Sequence, residues 1–140
     1  MLQDVIINMR SIHGYDTDRA DTLEFSTDGL FKLDGDVGCI TYEESEITGL
    51  TGTRTSVFVM PDRIVVDRDG SLTSRMVFKE GEKSSFLYDT PFGSATLGIR
   101  TRKIRQNLDE HGGSVEIDYV MDMDHAVASR NKMSIEVRNA

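Results

Sequence analysis

The sequence predicts an all-β chain closed into an antiparallel barrel of about eight to ten strands, and three observations carry that prediction. Apolar and polar residues alternate with period two along nearly the whole chain. Turn-forming pairs and triplets punctuate the alternation at short intervals. By contrast, no window carries the apolar stripe that an amphipathic helix would need.

Taken in order, the first alternation covers residues 3–13. Two more, 21–27 and 29–34, are separated by Asp28-Gly29, and a strand at 37–46 follows the turn Asp34-Gly35-Asp36. Strands at 53–60 and 62–68 meet at Pro61-Asp62, and Asp69-Gly70 leads into 72–79. Glu80-Gly81-Glu82 then turns the chain into 83–90, and 94–105 begins beyond Pro91. Both prolines fall at strand ends, where a missing N–H leaves the ladders intact. His111-Gly112-Gly113 introduces 114–122, and 126–138 closes the series. A helical turn over 103–110 is the one competing local reading and is not adopted, because Thr101-Arg102-Lys103-Ile104 equally extends the preceding strand. Short hairpins between consecutive strands imply a meander, which favours a closed barrel over a sandwich.

The bulk properties set bounds on class and partners. At 140 residues without a linker or repeat, one domain spanning 1–140 is expected, large enough to hold a core without disulfides. A formal charge of −8 repels phosphate backbones and anionic lipid, so neither nucleic acid nor a membrane is an expected partner. Cys39 is the sole cysteine and cannot form an internal disulfide. Together with the short apolar runs and the absence of a leader-like amino terminus, that places the expected protein in the cytoplasm. Arg100, Arg102, Lys103 and Arg105 form the one cationic cluster and read as a solvated outer face.

Side chains alternate between the faces of a strand, so a polar residue in phase with buried aliphatics should also face inward. Ile40 is in phase with Tyr42 and Glu44, Val57 and Val59 with Thr55, and Ile64 and Val66 with Arg68. Met76 and Phe78 are in phase with Ser74, Phe86 with Tyr88, and Leu97 and Ile99 with Thr101. Val115 and Ile117 lead to Tyr119, and Met133, Ile135 and Val137 to Asn131. The expected lumen is therefore apolar at one level and polar at another, with Tyr42, Glu44, Thr55, Arg68, Tyr88, Thr101 and Tyr119 as candidate ligand-binding residues.

Those positions, with Arg68-x-Gly70, Met76-x-Phe78, Tyr88-x-Thr90-Pro91-x-Gly93 and Asn131 in the same order, resemble the bacterial YwiB-like family over residues 4–138. The resemblance implies a calycin-like (lipocalin-like) barrel and a domain of unknown function, with no assigned reaction or cofactor. By fold analogy alone it also implies a small-ligand pocket.

Arg68 and Glu44 form the sharpest pair. An inward guanidinium must meet a carboxylate or several acceptors, which reads either as a clamp for an acidic ligand or as an ion pair plugging the barrel. Tyr42, Tyr88 and Tyr119 read as a pocket wall or as packed core, and the methionines as gap-filling core. Asp16-Thr17-Asp18 with Asp21 lacks the glycine and closing glutamate of a calcium loop. Asp122-Met123-Asp124-His125 lacks further ligands at metal spacing. No phosphate loop, triad or dinucleotide fingerprint is present, so neither an enzyme nor a cofactor is expected. The function expected is binding of a small acidic or amphipathic molecule in the lumen, by a monomer or homodimer. The alternative is a filled barrel serving as a structural or interaction module, and a weaker third option is an enzyme using Glu44 as a base beside Arg68.

Overall fold

The computed structural model describes residues 2–123 and 127–140. Within them run ten strands: β1 (Gln3–His13), β2 (Asp21–Asp34), β3 (Val37–Glu43), β4 (Arg54–Val59), β5 (Ile64–Asp69), β6 (Ser74–Phe78), β7 (Lys83–Thr90), β8 (Gly93–Asp109), β9 (Gly112–Met123) and β10 (Val127–Asn139). All belong to one antiparallel sheet in the order β6-β5-β4-β3-β2-β1-β10-β9-β8-β7. Its two end strands, β6 and β7, are consecutive in the chain and lie side by side. The result is a nearly closed barrel with a single unsealed seam among the described residues.

The seam is stitched only near its ends. Thr73 and Asp89 exchange backbone hydrogen bonds of 2.9 and 3.1 Å at one end. At the other, the Ser84 hydroxyl donates to the Val77 carbonyl at 3.0 Å.

One sequence expectation is corrected, and one competing local reading is decided. Asp28-Gly29 is no turn: residues 21–34 form one strand, in which Gly29 pairs with Val5. A Cβ there would come within 2.7 Å of the Thr41 carbonyl oxygen and would collide with the Ile7 side chain, so the glycine is required by close packing. The 103–110 segment is strand, and β8 runs on to Asp109. A register shift between Thr101 and Lys103 turns both Arg102 and Lys103 outward.

Apolar rows fill the barrel. Across β3 to β6, Ile40, Val57, Val66 and Met76 are register partners, and the row beside them runs Gly38, Val59, Ile64, Phe78. Phe31 and Phe78 are fully buried. Burying a side chain of that kind contributes about 1.5–3 kcal/mol each.

Candidate functional site

One row beyond Ile40–Met76, the same register aligns Tyr42, Thr55, Arg68 and Ser74 side by side on the inner face of β3, β4, β5 and β6. Alternation explains why these four lie together: each is two residues from an apolar core position on its own strand. Glu44 continues past β3 and pairs through its N–H with the Thr53 carbonyl at 2.8 Å. The 51–53 segment caps this end of the barrel. Leu72 N–H donates to Thr53 Oγ1 at 3.3 Å, and Ser71 Oγ donates to the Thr51 carbonyl at 2.6 Å. Gly70 permits that cap: its φ is 143°, and a Cβ there would lie 2.8 Å from the Thr53 Cα.

Of the seven candidate residues, Tyr42, Glu44, Thr55, Thr101 and Tyr119 are buried. Arg68 is half-buried. Tyr88 is 36% exposed and does not belong to the enclosed lumen. It shares the face of Phe86 but sits towards the tip of the β7–β8 hairpin, where Phe92 is fully exposed. Ser74, buried at the seam end of the polar row, belongs to the site although sequence reasoning left it out of the candidates. Its phase with Met76 and Phe78 was the available signal. Asp124 and His125 of the acidic tetrad lie outside the described residues.

The expected Arg68–Glu44 ion pair does not form: no carboxylate lies within 4.0 Å of Arg68 among the described residues. The two residues stand two strands and one row apart, roughly 10 Å or more along the sheet. Arg68 instead turns Nη1 towards the Met76 sulfur at 3.6 Å, a weak acceptor. Tyr42 donates to the Met9 sulfur at 3.7 Å. Among the described residues, five buried side-chain atoms make no hydrogen bond of good geometry: Glu44 Oε1, Thr55 Oγ1, Arg68 Nε, Ser74 Oγ and Thr101 Oγ1, although the Tyr42 and Thr55 hydroxyls lie near enough to Glu44 to favour its charged form. Each such atom costs about 1–3 kcal/mol unless something supplies a hydrogen bond.

The electrostatics follow from burial. Loss of solvent pushes the Glu44 carboxyl above its ordinary range, against the pull of the Arg68 guanidinium. Burial, aided by Glu44, drives the Tyr42 phenol far up despite the same cation. It pushes Tyr119 up to about 12, again with Arg68 opposing. Arg68 thus acts on Tyr42, Glu44 and Tyr119 across the lumen. Phe78 meets the Tyr119 ring edge-on, with centroids 5.0 Å apart.

The profile of a family described as a domain of unknown function, DUF1934, matches residues 7–135 of this chain. The chain is 26% identical over 120 residues to the uncharacterized beta-barrel protein YwiB of Bacillus subtilis (strain 168), spanning 86% of this chain and 83% of that protein. It also superposes on the crystal structure of the ywiB protein from Bacillus subtilis with a TM-score of 0.82 and 22% identity. That match covers 99% of this chain and 93% of the other, and it supports the barrel fold.

Proposed function

The chain belongs to the DUF1934 family, and we propose that it is a small-ligand-binding barrel of the calycin-like kind, taking up a molecule with an apolar part and an acidic group. The observation that carries this reading is Arg68: an inward guanidinium with an orphan Nε and no carboxylate partner among the described residues. A filled barrel plugged by an internal ion pair would have closed that charge with Glu44. An acidic ligand closes it instead, because the Nε and one Nη edge of arginine holds a carboxylate in two parallel hydrogen bonds. Orphan hydroxyls on Thr55, Ser74 and Thr101 add hydrogen-bonding capacity, and the neighbouring apolar rows receive the remainder of the molecule.

The proposed role is binding without catalysis, in a reducing compartment suited to the lone Cys39. Native mass spectrometry of protein purified without refolding is the test. The expected result is an adduct mass that Arg68→Ala loses and that Arg10→Ala, whose residue pairs with Glu24 on the outer face, retains. A bare mass for the unaltered protein, with no saturable binding of anilinonaphthalene sulfonate, rejects the proposal.

A further inference from the structure

We infer that the β6–β7 seam is the mouth of the lumen and that Arg68 with Ser74 forms an anion subsite just inside it. The inference rests on the ligand-binding reading above and adds the route and the orientation. Every other neighbouring pair of strands in the sheet is joined by a ladder, which a ligand could cross only by breaking several backbone hydrogen bonds. Between β6 and β7 the bonds lie only towards the two ends, at Thr73–Asp89 and Ser84–Val77.

A groove of about 570 Å³ crosses the outside of the barrel at this place. Its lining includes outward residues such as Arg75 and Leu87, as expected for an external surface. It also includes Arg68, Ser74 and Phe86, which alternation places on the inner face. Residues of both faces thus border the groove beside the missing ladder, where only the two end contacts would have to part to admit a ligand to the lumen.

The polar row ends at this same point. Ser74 is its last member, on the seam strand β6, and Arg68 is the next residue inward. Both carry an orphan polar atom. An entering carboxylate or sulfonate would therefore meet two donors at the threshold, with Met76 and Phe86, both buried, to receive its apolar portion.

Cysteine accessibility tests this without knowledge of the natural ligand. In a Cys39→Ser background, Ser74→Cys and Thr101→Cys place thiols at two buried lumen positions, one beside the seam and one on β8. Each is treated with sulfonatoethyl and trimethylammonioethyl methanethiosulfonate. The Ser74→Cys thiol is expected to react about tenfold or more faster than the Thr101→Cys thiol, which must wait for local opening. Equal rates would remove the seam as the mouth, while the adduct mass would still judge lumen binding separately.

The anionic-to-cationic rate ratio at Ser74→Cys should fall several-fold when Arg68→Gln is added and persist in Arg68→Lys, against a molecular charge of −8 that by itself repels the anion. Octanoate should slow labelling of Ser74→Cys in the presence of Arg68. A ratio indifferent to Arg68→Gln, or no slowing by octanoate, overturns the anion subsite.

Discussion

Two polar rows cross the interior of this barrel, one on each half of its wall, and they differ in how their hydrogen bonds are met. On β1, β10, β9 and β8 the row runs His13, Asn131, Tyr119, Thr101. Asn131 there is completely buried, yet every hydrogen-bonding position of its amide is used. Its Oδ1 lies 3.0 Å from His13 Nδ1 and accepts from Gly14 N–H at 3.2 Å. Its Nδ2 donates to the carbonyl and the hydroxyl of Ser129, both at 3.2 Å. On β3 to β6 the row Tyr42, Thr55, Arg68, Ser74 leaves three of its four members with an orphan atom. A chain that meets one buried amide four times over is able to satisfy buried polar groups. The second row, with three orphan atoms against the one on Thr101 in the first, is therefore matched to something beyond its own side chains, whereas Asn131 is a structural staple.

The largest effect that would break the comparison is at the staple. Asn131→Ala should cost about 3 kcal/mol in urea unfolding, because it leaves the Gly14 N–H without its acceptor and opens a cavity at a fully buried position. A loss below about 1 kcal/mol would show that the bonds of Asn131 hold nothing.

Part of this contrast was legible in the sequence and part was not. Period-two phase placed Tyr42, Thr55, Thr101, Tyr119 and Asn131 inside correctly, since a strand with one buried face admits no other register. Phase alone does not fix the pairing between strands. Glu44 and Arg68 share an inward phase, but the register sets them two strands and one row apart, and the guanidinium acts on the carboxyl without closing to an ion pair. Tyr88 failed for a different reason: phase reports a face and not how near a hairpin tip the residue lies, and Tyr88 sits close to the exposed tip at Phe92. Gly29 was read as a turn because Asp-Gly is the usual hairpin signal, while the need it meets is close approach of Thr41 across the sheet.

A smaller effect sharpens the unsatisfied side. The Glu44 carboxyl is raised by burial, so the folded state holds its proton to higher pH than the unfolded chain does. Its contribution to stability is therefore fully present below the ordinary carboxyl value of 4.5 and is lost as pH rises through the elevated one. Glu44→Gln removes that loss. The variant should be more stable than the parent at neutral pH by about 1 kcal/mol, with the difference shrinking in acid. Denaturant midpoints at matched pH give the measurement. A variant less stable at neutral pH would mean that Glu44 is ionised and well paired when folded.

The smallest effect is also the most direct reading of the polar row. Thr55 is completely buried within that row, its Oγ1 making no hydrogen bond of good geometry among the described residues, and valine has nearly its shape. Had the hydroxyl been bonded as Asn131 is, Thr55→Val would strand the partner and destabilise the fold by about 1–3 kcal/mol. With no well-formed bond to lose, the exchange removes a desolvated hydroxyl and adds a methyl to the core. Thr55→Val should therefore stabilise the ligand-free protein by about 0.5 kcal/mol. The same change should weaken binding of anilinonaphthalene sulfonate, because a hydroxyl that costs stability in the unliganded protein is one an occupant can use. Opposite signs on stability and affinity at a single residue would separate a binding row from a structural one. Loss of both would return Thr55 to the class of Asn131.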